Sequence, residues 1–151
     1  APMVADLKKR LPANAELVLL PAQFGFEAWK VFAKGFYTAQ ALGLVEKTHA
    51  DLFRTIYVDR KIDIRSPTFA SLAEFYSKYG VSAADFTATS ESFAIKAKLK
   101  RNEELIKAYG ADGTPTFIVN GKYRFSGQSA GGYEKIEPLV HYLIDKEAKG
   151  G

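Results

Sequence analysis

The sequence predicts an α/β chain in which a small sheet layer is split by a long helical insertion. Three observations predict it. Residues 16–22, ELVLLPA, form a continuous apolar run of strand length that proline ends. Such a run reads as a strand buried on both faces of a parallel or mixed sheet. From about residue 25 to residue 110 the apolar positions recur with helical period. After Gly110 the period becomes two, in TFIVNGKYRF. Strands separated by so much helix fit one α/β layer with an insertion better than two successive domains.

The elements follow in order. Pro2 suits the first turn of a helix, where its missing N–H is no loss. Met3, Leu7 and Leu11 follow at helical spacing, and Pro12 ends the segment. After the 16–22 strand, Trp29, Phe32, Ala33 and Phe36 make an i, i+3, i+4, i+7 stripe that stops near Gly43. Leu52, Phe53 and Ile56 continue the pattern in a second helix. Ser66 followed by Pro67 reads as an N-cap with proline at the first helical position. Phe69, Leu72, Ala73 and Tyr76 form the face of that helix, and Gly80 stops it. Ser82 with Asp85 has the spacing of a capping box, opening a segment to Tyr109 that breaks near residues 90–92.

Asn120-Gly121 between apolar runs predicts a hairpin, since both residues tolerate the positive φ of a type I′ turn. A two-residue loop pairs Val119 with Lys122, Ile118 with Tyr123 and Phe117 with Arg124. Lys122 and Arg124 then read as charges protecting a sheet edge. A last helix carries Ile136, Leu139, Val140, Leu143 and Ile144 on one face, with Pro138 starting or kinking it.

Composition narrows the chemistry. The 151 residues are 47% apolar and 25% charged, as expected of an ordinary domain with a core. No apolar run approaches the roughly 18 residues that a membrane-spanning helix needs. The net charge is +4. The densest basic run, residues 96–101 (KAKLKR), distributes its charge around a helix without interleaved aromatics and reads as a solvated surface, with no nucleic acid implied.

There is no cysteine. A thiolate nucleophile, a structural disulfide and a cysteine-bound metal therefore lie outside these residues. His49 and His141 read as structural or solvated, and Gly131-Gly132 as a turn. No H-E-x-x-H, phosphate loop or nucleophile elbow occurs. No catalytic residue, metal ligand or cofactor site is expected.

Thr114-Pro115 remains. Proline has no donor for a ladder, so at a strand entrance it marks an edge, a first residue or a bend. Most such prolines simply lead a strand. A cis bond there would instead free the Thr114 backbone to pair with an extended peptide by strand addition.

GTPTFIVNGKYRF resembles the cis-proline loop and following hairpin of the DsbA-type thiol:disulfide oxidoreductases. Residues 28–53, 61–86 and 92–117 are similar to the insertion helices of that family, and LPANAELVLLPAQF to the strand after its active-site helix. Coverage is essentially the whole chain. The resemblance implies a thioredoxin-like mixed sheet with an inserted all-helical domain: residues 1–24 and 113–151 as the two thioredoxin-like parts, and 25–112 as the insertion. It implies a cis Thr114-Pro115, with Thr114 and Pro115 binding the backbone of the substrate. It further implies a periplasmic or secreted location and unfolded or extended exported polypeptides as partners, admits a membrane re-oxidase, and has the insertion helices help form the substrate groove.

Two departures matter. The family's C-x-x-C at the N-terminus of its first helix, where the dipole favours a thiolate, is absent here. The match begins inside that helix, so the first strand and the start of the helix are expected to be missing and the chain to be truncated. Residues 17–20, LVLL, also lack a charged group that some relatives place there.

In the thioredoxin topology the missing strand lies between residues 17–22 and 116–120. Unpaired buried backbone groups cost about 1–3 kcal/mol each against a total stability of about 5–15 kcal/mol. A lone monomer is therefore expected to be unstable unless a partner or a swapped copy donates a strand. A non-catalytic peptide-binding or holdase module with the same cis-proline groove is the alternative to the oxidoreductase body.

Overall fold

The computed structural model describes residues 2–151. Seven helices and one two-stranded sheet follow one another: α1 (Pro2–Arg10), α2 (Glu27–Ala41), α3 (Val45–Tyr57), α4 (Phe69–Ser77), α5 (Ala83–Ser90), α6 (Phe93–Ala108), β1 (Thr116–Val119), β2 (Tyr123–Ser126) and α7 (Ile136–Ala148). A single 3₁₀ turn, Tyr133–Lys135, leads into α7. The chain divides into two compact units, one of residues 1–19 with 106–151 and the other of residues 20–105.

The second unit is all helix. Leu72, Ala73, Phe75 and Tyr76 of α4 pack with Ala39, Leu44, Ile62 and Phe86 in its core. The Tyr76 ring lies 4.5 Å from that of Phe86 in a stacked arrangement, and Phe69 stacks on Phe86 at 5.6 Å. These aromatic pairs add specific geometry to the area they bury.

The helix ends follow local chemistry. The Ser82 hydroxyl accepts the Asp85 N–H at 3.0 Å, the capping geometry the sequence predicts. The break falls where it is expected, since α5 ends at Ser90 and α6 opens at Phe93. The cap of α4 differs: Thr68, not Ser66, accepts the Ser71 N–H, at 3.1 Å. Ser and Thr are equivalent caps in a sequence, and Thr68 has extended backbone and a free N–H in reach.

Two buried amides of the second unit hold the chain at its start. Asn102 Nδ2 donates to the Pro21 carbonyl at 2.7 Å, and Gln23 Nε2 to the Leu99 carbonyl at 3.2 Å.

The first unit holds the sheet. Leu7 of α1, Phe125 of β2 and Ile136, Val140 and Leu143 of α7 form its buried core, with Met3, Leu11, Phe117 and Val119 packed against it. Pro138 sits in the first turn of α7, where no helical hydrogen bond needs its N–H.

Three expectations change here. Residues 16–22 are not a strand. Val18 is 67% exposed and Leu19 37%, so the run is not buried on both faces. An apolar run predicts burial, but a strand also needs a neighbour for its ladder, and none pairs with this segment among the described residues. Correspondingly, the sheet is antiparallel and two-stranded, not mixed.

The hairpin is longer by one residue. Val119 pairs with Tyr123, Ile118 with Arg124 and Phe117 with Phe125. Asn120 and Gly121 do take positive φ, 51° and 69°, and the Lys122 N–H closes the turn on the Val119 carbonyl at 3.0 Å. A one-residue slip would turn each side chain to the other face. The observed register stacks Phe117 on Phe125 at 5.5 Å, which puts both rings toward the core.

Candidate functional site

The first unit presents two adjoining features: the corner that opens β1 and a cleft along it. At the corner the Thr114-Pro115 peptide is cis. Thr114 is exposed and Pro115 half-buried. The Thr116 hydroxyl donates to the Gly113 carbonyl at 2.6 Å, which braces the chain across the two residues. Proline as the residue just before the first β1 position needs no ladder donor, so the strand starts after it without an orphaned N–H.

Beside β1 lies a cleft of about 420 Å³. Phe117 and Val119 form one wall, Leu7 and Leu11 of α1 with Val140 and Ile144 of α7 contribute the floor, and Glu16 and Leu17 stand in the opposite wall. Among the described residues β1 is hydrogen-bonded to β2 alone. The sequence marked the two walls as strand segments. The α1 and α7 residues of the floor were expected only as core.

Glu147 anchors the end of this cleft. Its Oε2 accepts from Asn120 Nδ2 and from Lys122 Nζ, both at 2.6 Å, and its Oε1 accepts from the Tyr123 hydroxyl at 3.1 Å. The Lys122 hydrogen bond, then that of Asn120, holds the Glu147 carboxyl below the usual carboxylate range, and Glu147 in turn raises Lys122. Lys146 lies over the Tyr123 ring at 5.2 Å. The hairpin tip is thereby tied to the end of α7. Sequence reasoning missed Glu147, because nothing local joins residue 147 to residues 120–123.

Lys122 and Arg124 are also not free edge charges. Lys122 pairs with Glu147, and Arg124 Nη1 donates to the Tyr109 carbonyl at 3.1 Å and to that of Gly110. Arg124 thus satisfies carbonyls at the end of α6 that the helix leaves without a partner.

The two histidines sit apart. His141 Nε2 is 3.9 Å from Glu137 Oε1 one turn before it in α7. His49 rests against Phe53 at 5.0 Å, and burial lowers its pKa. Among the described residues no group of three or more His, Asp or Glu side chains could hold a metal.

The DSBA-like thioredoxin domain matches residues 3–138. The chain is 38% identical over 146 residues to the thiol:disulfide interchange protein DsbA of Pseudomonas aeruginosa, covering 97% of this chain and 67% of that protein. It is 39% identical over 146 residues to the protein of the same name from Pseudomonas syringae pv. tomato, covering 97% and 66%. A crystal structure of Pseudomonas aeruginosa DsbA superposes with a TM-score of 0.87 at 36% identity, over 98% of this chain and 75% of that one. The chain thus spans about two thirds of the length of the curated relatives it matches.

Proposed function

The chain belongs to the DSBA-like thioredoxin domain family, and from that premise we propose that it is the body of a thiol:disulfide interchange protein acting on exported polypeptides. Its 151 residues contain no cysteine, so they supply the scaffold and the substrate contacts, and the exchanging thiols belong to another segment. The single observation that carries this reading is the match over residues 3–138 to relatives named for thiol:disulfide interchange.

In that role Thr114 and Pro115 hold an extended substrate. Thr114 is exposed at the entrance of β1, where its backbone can add a strand to an incoming chain while side-chain selection stays loose. A substrate bound in this way is presented to the thiol pair without being recognised by sequence, which suits a catalyst of many unfolded chains. Disulfide exchange then proceeds by thiolate attack through a mixed disulfide. The working compartment is an oxidising one outside the cytoplasm, where disulfides persist.

The cleft beside β1 takes an extended strand. Its apolar floor accepts side chains at alternate positions, and the unpaired edge of β1 offers a ladder. The donor is the segment that carries the thiols, or a swapped copy of this chain. A membrane re-oxidase completes the cycle by restoring the disulfide.

The test is a chimera. The part of Pseudomonas aeruginosa DsbA that precedes its match to this chain is fused ahead of Ala1, and oxidation of a reduced two-cysteine peptide is followed. The chimera oxidises the peptide, whereas the 151 residues alone stay at the uncatalysed rate. A chimera that folds by circular dichroism but oxidises nothing overturns the reading. If the unfused chain then still slows aggregation of a reduced, unfolded protein, the non-catalytic holdase takes its place, consistent with a sequence that has no thiol.

A further inference from the structure

A patch in the helical unit is not used by the proposed exchange. It lies at the C-terminal end of α3 and the segment that follows. His49, Phe53 and Tyr57 recur every fourth residue, so they line one face of α3. Their rings touch in series, His49 to Phe53 at 5.0 Å and Phe53 to Tyr57 at 5.6 Å. The series grows more exposed toward the helix end, where Tyr57 is 57% and Val58 71% exposed. Ile64, six residues on, is exposed as well. Ile62 between them is buried in the core of the unit and fixes the segment to it.

Charge accompanies this apolar tip. Residues 53–65, FRTIYVDRKIDIR, carry four cations against two carboxylates. Both carboxylates are engaged: Asp59 Oδ1 lies 3.7 Å from Arg54 Nε, and Asp63 Oδ1 accepts the Arg65 N–H at 2.9 Å. Arg60, Lys61 and Arg65 are exposed. The chain turns sharply at Arg60, whose φ is 51°, and the Lys61 N–H bonds back to the Thr55 carbonyl at 3.0 Å. This places the cations beside the exposed end of α3.

We infer that the Tyr57–Val58 tip with Arg60, Lys61 and Arg65 docks this protein on an anionic lipid surface. The charge decides the occupant. Cations left over after local pairing attract a negative surface potential, at about fivefold in affinity per charge. Exposed tyrosine and valine on a projecting helix end can enter the headgroup boundary, which rewards apolar area without needing a complementary groove. The attachment is peripheral and weak, and among the described residues no helix is long and apolar enough to cross a membrane.

Vesicle co-sedimentation of the full chain tests it, with phosphatidylglycerol vesicles against phosphatidylcholine vesicles at low and high salt. The chain sediments with the phosphatidylglycerol vesicles and is released by salt. The pair Arg60→Asn and Lys61→Gln lowers that affinity about 25-fold; asparagine is chosen because it tolerates the left-handed backbone at residue 60. Tyr57→Ser with Val58→Ser weakens binding to the same vesicles and leaves the circular dichroism spectrum unchanged. Equal binding to both vesicle types, or variants that bind like the unsubstituted chain, overturns the inference. Absence of binding to either does so too, and leaves the patch to an acidic protein partner.

Discussion

At the scale of single residues, two long-range contacts hold segments that sequence alone leaves apart. Asn102 is fully buried and its Nδ2 holds the Pro21 carbonyl, while its Oδ1 has no partner in the structure. Asn102→Ala strips the Pro21 carbonyl of its donor, so a denaturant titration is expected to show a loss of about 1–3 kcal/mol. Glu147 links hairpin to helix and brings a pH dependence with it. Its folded-state pKa lies below the unfolded value, so its contribution is present above the unfolded carboxylate pKa and fades as pH falls through the lower, folded one. Glu147→Ala therefore lowers Tm at pH 7. The gap between variant and parent closes as the pH is taken below the carboxylate range, and a gap that stays constant with pH would contradict the assignment. Neither contact was legible beforehand, because each spans tens of residues and a carboxamide or carboxylate on a helix looks the same whether or not a partner reaches it.

At the scale of elements, helix faces were readable and strand pairing was not. Phe69, Leu72, Ala73 and Tyr76 were expected on one apolar face; Leu72, Ala73 and Tyr76 are fully buried and Phe69 packs against their cluster. A helix makes its hydrogen bonds within itself, so its periodicity carries the needed information. A ladder lies between segments, and the register of β1 on β2 came out one residue away from the local turn rule. The aromatic stack on α4 has its own signature. Burial raises Tyr76 to about 12. In an alkaline absorbance titration one tyrosine is expected to ionise only near that pH in the folded state. Because the folded pKa is raised, the stability it represents is whole below the unfolded value near 10 and is lost as pH climbs toward 12, at about 1.4 kcal/mol per pH unit. A tyrosine titration with every group ionising near pH 10 in folded protein would refute the burial.

At the scale of the whole molecule, the cleft beside β1 makes the strongest prediction. An extended apolar strand that enters it binds the folded state alone, so it raises Tm with its concentration. A synthetic peptide matching the first strand of a full-length relative is expected to shift Tm upward, and Val119→Lys, in the cleft wall, to abolish the shift. No shift for the unsubstituted chain would remove strand addition from the proposal.

The sequence by itself determined the α/β class, the helical insertion, the absence of any thiol, and Thr114-Pro115 as the corner to watch. Each of these is written in composition or in periods a few residues long. Only the tertiary structure decided that residues 16–22 stand without a ladder, that Glu147 closes on the hairpin, and that a cleft separates Leu17 from Phe117. Pairing, burial and cavity shape depend on which distant segments meet, and no local pattern records that.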